Sequence, residues 1–373
     1  MPLKDLQPFV NILVDHAKKE LGDDLELVIH YGSRAKDYAE PGSDYDVSYV
    51  PAQGKNIWKN WQCLIDDICI DFYPMQWEGL EANANFDVDR TSVIVESRVL
   101  YHKSEEVLKR FQALQDRVSE LQTPEKKGEM LAKAIRRFTE TVYHLATLEH
   151  MCAEEDLRSW RKEAMAIADG IVHCLTVLNQ TYFPKAWVRC IDKVAALPTC
   201  PQGIDRMLTT LAVDRSYENV RQAAIELVRQ TRRLLVEEQR AGAKKREAGW
   251  KWINYPEWRA MCTKTLRACD SGNLVEANAA AMVYLSETAL ARAGYQEGVD
   301  YTSFNVVAEY SKSYDALRFP DIASCETQDE FAEFRRKLSA HDEQLKQLLV
   351  SEGLDLLSVT TEEDLKRSLL THG

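Results

Sequence analysis

No cysteine pair in this 373-residue chain has C-x-x-C spacing. The nine cysteines, at 63, 69, 152, 174, 190, 200, 262, 269 and 325, are odd in number and scattered. That argues against a disulfide framework and a structural zinc site. Most are expected as buried thiols in a reducing compartment. No run of 18 apolar residues occurs, so no membrane-spanning helix is expected. The opening segment MPLKDLQPFVNILVDHAKKE reads as an amphipathic helix rather than a signal peptide, and a cytoplasmic location is expected. Positive charge is in short supply: 47 Lys and Arg face 59 Asp and Glu, a net charge of −12. Nucleic-acid affinity rests on neutralising phosphates, so a long polyanion is a poor fit as partner.

What the chain does have is a core's worth of apolar residues, 45% of the total, and no low-complexity tract. Its length suggests two or three domains. Residues 1–120 hold 22 acidic and 13 basic residues, so most of the excess negative charge lies in the first third. Metal binding suits such a region, as does a solvated acidic surface.

Leu6, Phe9, Val10, Leu13 and Ala17 lie on one helical stripe that Gly22 ends. Strands are expected over residues 25–31, 44–50, 68–73 and 93–101, with a helix over 57–65. This makes a mixed α/β unit. Residues 122–128 read as a linker, and strand signals almost vanish beyond it. Met130, Ala134, Phe138, Val142 and Leu145 repeat at helical spacing; so do Ala164, Ile167, Ala168, Ile171, Leu175 and Leu178. Residues 188–240, 257–292 and 326–350 continue as helices. The fold class expected is α+β, with a mixed-sheet domain at 1–120, a helical bundle at 125–240 and a further helical region at 241–373.

One stretch stands apart: HYGSRAKDYAEPGSDYDV, residues 30–47. Gly32-Ser33 follows a strand and is expected to open a helix, where small residues admit a phosphate to backbone N–H groups. Asp44 and Asp46 are two apart in a strand, so alternation places both carboxylates on one face. Adjacent carboxylates repel unless a cation intervenes, and oxygen ligands suit Mg²⁺. Asp71 lies in the apolar strand Ile70-Asp71-Phe72, where a carboxylate needs a compensating partner. If that strand neighbours the first, three carboxylates converge, as a two-metal site requires. Each element alone is ordinary: Gly-Ser is a common turn, Asp-x-Asp often a solvated strand end. Their order and spacing together are rare.

That order resembles the nucleotidyltransferase superfamily related to DNA polymerase beta. Its pattern is hydrophobic-Gly-Ser, about ten residues, Asp-x-Asp, then a separate carboxylate. Tyr31-Gly32-Ser33, Asp44-Tyr45-Asp46 and Ile70-Asp71-Phe72 match it in turn. The local sequence is most similar to the small bacterial members, which include antibiotic nucleotidyltransferases acting on aminoglycosides and lincosamides. The resemblance covers about residues 20–105. It implies transfer of a nucleoside monophosphate, AMP from ATP, to a hydroxyl. Ser33 and the Gly32 backbone would hold the β- and γ-phosphates. Asp44 and Asp46 would bind Mg²⁺, and Asp71 would complete the metal site and accept the hydroxyl proton. Arg34 would lie along the phosphates, unless it forms a surface salt bridge. Residues 178–185, LNQTYFPK, are similar to a segment in which a lysine, here Lys185, reaches the triphosphate; simple exposure is the alternative. In the expected helix 159–179, Glu163, Asp169 and His173 could meet an acceptor or form a solvated stripe.

Three readings compete. The first is an enzyme acting on a small hydroxylated acceptor, for which a cationic aminoglycoside would suit an acidic cleft. The second is an enzyme modifying a protein hydroxyl or an RNA end. It draws on the basic run 240–246 and the nearby Trp250, Trp252 and Trp258, since basic and aromatic residues together can hold single strands. The third is a non-catalytic nucleotide-binding module.

Overall fold

The computed structural model describes residues 5–36, 38–151, 156–243, 255–299, 301, 304–354, 356 and 361–371. The chain divides into two compact units, Met1–Glu237 and Glu238–Gly373.

The first unit opens with helix α1 (Gln7–Leu21), which buries Val10, Val14 and Ala17 along one stripe and stops at Gly22. Five strands follow: β1 (Leu25–Tyr31), β2 (Tyr45–Pro51), β3 (Cys63–Ile65), β4 (Ile68–Pro74) and β5 (Arg98–His102). They form one mixed sheet in the order β3-β4-β2-β1-β5. The β2–β4 pair is parallel, and the other three pairs are antiparallel. β1 and β2 are central and buried on both faces, which is why LELVIHY reads as nearly continuous apolar sequence. One face of the sheet carries Tyr45, Val47, Tyr49, Ile70 and Phe72 into a core shared with α1. Alternation sends the residues between them, Asp46 and Asp71 among others, to the opposite face.

Helices α2 (Trp77–Ala84), α3 (Ser92–Val95) and α4 (Glu105–Leu121) follow. Next come the long pair α5 (Lys127–His150) and α6 (Leu157–Leu178), then α7 (Ile191–Ala195), α8 (Ile204–Val213) and α9 (Tyr217–Ala241). The Asp156 carboxylate caps α6 by accepting from Arg158 N and Ser159 N at 2.7 and 3.0 Å. At the α5–α6 contact, a Cβ on Gly170 would overlap the Thr141 side chain, so only glycine permits this approach.

The second unit contains α10 (Tyr255–Asp270), α11 (Leu274–Glu297), α12 (Val307–Tyr310), α13 (Lys312–Asp315), α14 (Phe331–Ser351) and α15 (Glu362–Thr371). Its core includes Trp258, Cys262, Tyr284, Phe334 and Leu338. The buried Asp342 carboxylate accepts from Arg259 at 2.6 Å, Tyr284 at 3.2 Å and Tyr255 at 3.3 Å. A buried charge so bonded is structurally satisfied.

The α+β class stands as expected, with differences in detail. Residues 57–65 form no helix: they are irregular and end in β3, paired to β4 through a turn with Asp66 and Asp67 at φ 49° and 62°. Residues 93–101 divide between α3 and β5. Gly272, at φ 73°, breaks residues 257–292 into α10 and α11. Residues 122–128 are a helical turn running into α5. The Gln180 amide donates to the Leu121 and Thr123 carbonyls at 2.8 and 2.6 Å and so fixes it. Among the described residues no helix is long and apolar enough to cross a membrane.

Candidate nucleotide and metal site

The parallel register of β2 and β4 sets Asp46 beside Asp71. Ile70 and Phe72 sit in the core, so period-two alternation turns Asp71 to the other face. Tyr73 shares that face, and its hydroxyl bonds that of Tyr31 from β1. Ser48 donates to Tyr31 at 3.5 Å, giving the carboxylates a polar floor within an apolar sheet.

Gly32 closes β1 with φ at 78°, a region that L side chains rarely adopt. A Cβ there would overlap the Asp46 carboxylate. The expected helix after Ser33 is a single 3₁₀ turn, Ser33–Lys36, so its dipole is small. The Arg34 guanidinium turns back to donate from Nε to the Ser43 carbonyl at 2.7 Å, which holds the ends of the loop together. Asp37 lies outside the described residues.

Burial pushes the Asp46 carboxyl up to about 6, with the charges of Asp71 and then Asp44 adding to the effect; Arg90 partly offsets it. Asp44 precedes β2 and is exposed, but it lines the same cavity as Asp46. The Asp71 carboxylate accepts from Gln62 Nε2 and, at 3.3 Å, from the Cys69 thiol. Burial and that hydrogen bond push the thiol up to about 11. Among the described residues, no three His, Cys, Asp or Glu side chains form a ready-made metal cluster. The carboxylate oxygens nonetheless fit a hard divalent cation, which would draw its remaining ligands from water and substrate phosphate. The burial of Asp46 and its closeness to the charges of Asp71 and Asp44 agree with that fit, since a cation would offset both.

Two adjoining cavities surround these groups. One, about 310 Å³, is lined by Gly32, Asp46, Asp71, Tyr73, Arg90 and Glu96, among others. The second, about 490 Å³, is lined by Ser33, Asp44, Asp46, Lys185 and Arg189, among others. Gly32, Ser33, Asp44, Asp46, Asp71 and Lys185 are thus brought together around one opening; Arg34 braces its loop from behind. Lys185 lies 4.8 Å from the Tyr38 ring centroid. The Tyr38 hydroxyl is 3.1 Å from both the Glu96 carboxylate and the Pro184 carbonyl. These contacts seat the 182–189 loop against the loop that follows Gly32-Ser33.

Sequence reasoning passed over Tyr38, Arg90, Ser92, Glu96 and Arg189, which reach the site from loops and helix ends without periodic signal. Glu163 is bonded to His144 Nδ1 at 2.7 Å, and Asp169 accepts from Trp187 Nε1 at 2.5 Å. His173 is buried rather than part of a solvated stripe. In the second unit Trp258 is a core residue, 4% exposed; Lys244 to Arg246, Trp250 and Trp252 lie outside the described residues.

Residues 108–240, most of α4 through α9, match the family model "KNTase C-terminal domain", a kanamycin nucleotidyltransferase-like domain. The match supports nucleotidyl transfer as the general class of chemistry. Among solved structures, a nucleotidyltransferase-like protein from Exiguobacterium sibiricum is similar over 65% of this chain and 81% of its own, at 10% identity and a TM-score of 0.33. No curated protein matches the chain.

Proposed function

We propose that the protein transfers a nucleoside monophosphate, AMP from ATP, to a hydroxyl of a small molecule. The observation that carries this reading is the register pairing of Asp46 with Asp71 beside the Gly32-Ser33 loop. In this reading residues 1–120 are the catalytic domain and 125–240 supply the facing wall; 241–373 form a separate helical region.

Ser33 and the Gly32 backbone, with Lys185, take the triphosphate, and Arg34 holds the shape of the loop that does so. Lys185 and Arg189 offer the cations of the polar cavity. Asp44, Asp46 and Asp71 would hold Mg²⁺, which when bound polarises the α-phosphate and stabilises the departing pyrophosphate. Asp71 accepts the acceptor's hydroxyl proton. The hydroxyl oxygen forms its bond to the α-phosphorus as the α–β bridging bond breaks, and pyrophosphate leaves with that electron pair. Gln62 and Cys69 orient the Asp71 carboxylate for both tasks.

The experiment is a pyrophosphate-release screen over hydroxylated small molecules, antibiotics included, with ATP and Mg²⁺. At least one acceptor should support release, and Asp71→Asn should slow it by about 10²–10⁴-fold. Release that is equally fast in Asp71→Asn would count against the assignment.

A further inference from the structure

A third cavity in the first unit, about 380 Å³, has a different character. It opens beside the carboxylates and shares Arg90, Ser92 and Pro184 with their cavity. Its volume is within the usual range for a small-molecule pocket. Phe86, Val172, Tyr182, Phe183 and Trp187 line it with rings and branched carbons. Asp169, one of its few acids, is already engaged by the Trp187 indole.

His173 also lines this cavity and is only 6% exposed. Burial holds its pKa below the ordinary imidazole value and the charge of Arg137 adds to that, while Asp89 and the Phe86 backbone partly oppose them. The two ring nitrogens have one neighbour to bond, the Phe86 backbone, which leaves at least one of them without a protein partner in hydrogen-bond geometry among the described residues. Buried polar atoms are normally paired, and leaving one unpaired is unfavourable. A ligand atom would pair it.

We propose that this cavity binds the acceptor, and that the acceptor carries an uncharged planar ring hydrogen-bonded by His173. This deepens the transfer reading and rests on it for the reaction. The polar cavity with Ser33, Lys185 and Arg189 suits the triphosphate, whereas the ring-lined cavity on the Arg90 and Ser92 side suits an apolar ring. A polycationic amino sugar would find here two carboxylates, Asp89 and the already engaged Asp169, balanced by the cations of Arg90 and Lys185. A flat ring instead gains aromatic contact and apolar burial. From this seat a ring hydroxyl can point past Arg90 toward Asp71.

The test is saturation-transfer NMR with two probe sets: 2-naphthol and 7-hydroxycoumarin against 2-deoxystreptamine and glucosamine. Calorimetric titration with ATP·Mg²⁺ runs beside it. Val88→Trp fills the cavity from a position that is 40% exposed, so the core is untouched; His173→Phe removes the polar partner and keeps a ring. The aromatic probes should bind the native protein, weaken at least tenfold in Val88→Trp and weaken severalfold in His173→Phe, with ATP·Mg²⁺ affinity unchanged in Val88→Trp. Preferential binding of the amino sugars, no aromatic binding, or undiminished aromatic binding in Val88→Trp would overturn the proposal. Loss of ATP·Mg²⁺ affinity in Val88→Trp would assign the cavity to the nucleobase and also overturn it. A native protein that binds the rings but not ATP·Mg²⁺ would leave the cavity's ligand class standing and remove the transfer reading.

Discussion

The Asp46 carboxylate occupies the space that a side chain at Gly32 would need. The glycine of the Gly-Ser pair therefore does two things. It supplies a positive φ at the end of β1, and it leaves room for a carboxylate delivered by β2.

Gly32→Ala is accordingly expected to displace Asp46 and strain the backbone. The strain should cost about 1–3 kcal/mol of stability. Turnover should fall about a hundredfold, since small misplacements of reacting groups cost that much. Thermal melting and pyrophosphate release check both. Native turnover in a folded Gly32→Ala protein would show that Asp46 tolerates displacement.

Asp46 gives a pH-dependent prediction. Its folded value, about 6, is raised above its ordinary one, mainly by burial and then by Asp71 and Asp44. The folded protein thus keeps a proton that the unfolded chain releases near pH 4. This contribution to stability is complete below about pH 4 and is lost as pH rises through about 6. Without divalent cations, Asp46→Asn should stabilise the protein at pH 8 by about 1–2 kcal/mol, allowing for solvent in the open cavity. At pH 4 the two proteins should melt alike. Equal melting at pH 8 would contradict the account.

The sheet-edge clamp on Asp71 predicts an effect on rate rather than on nucleotide affinity. Gln62→Leu and Cys69→Ala each remove one donor to Oδ1. Each should lower kcat by about tenfold, leaving KM for ATP near native, because orienting groups behind a metal ligand carry such effects. Cys69→Ser should restore most of the loss. A rise in KM with kcat unchanged would place these residues in ground-state binding instead.

Helix packing offers a prediction away from the site. Gly170→Ala should destabilise the first unit by about 1–3 kcal/mol, the usual cost of overpacking. Thr141→Ala removes the side chain that the new methyl would strike and should recover part of the loss in the double variant. Urea unfolding of the four proteins measures the coupling.

Much of this arrangement was legible in the residues. Leu25–Tyr31 is the strand its apolar run suggests, and Ile70-Asp71-Phe72 alternates as a half-buried strand must. Other segments misled for physical reasons. Val93 and Ile94 are β-branched yet bury themselves in a single helical turn, where packing outweighs propensity. Asp66 and Asp67 form a tight turn through left-handed backbone without the Asn-Gly signature that would announce it. The polar site residues Tyr38, Arg90 and Arg189 converge only through tertiary folding. His173 looked like part of a polar stripe because period alone does not reveal which face of α6 is covered.

The central claim is that the bond broken lies between the α- and β-phosphates. ATP labelled at the α-phosphate, and separately at the γ-phosphate, tests it in the presence of Mg²⁺ and an accepted hydroxyl compound. The account predicts α-label on the acceptor and γ-label in pyrophosphate, both abolished in Asp46→Asn. Label appearing on the acceptor from the γ-position, or α-label transfer undiminished in Asp46→Asn, would contradict it.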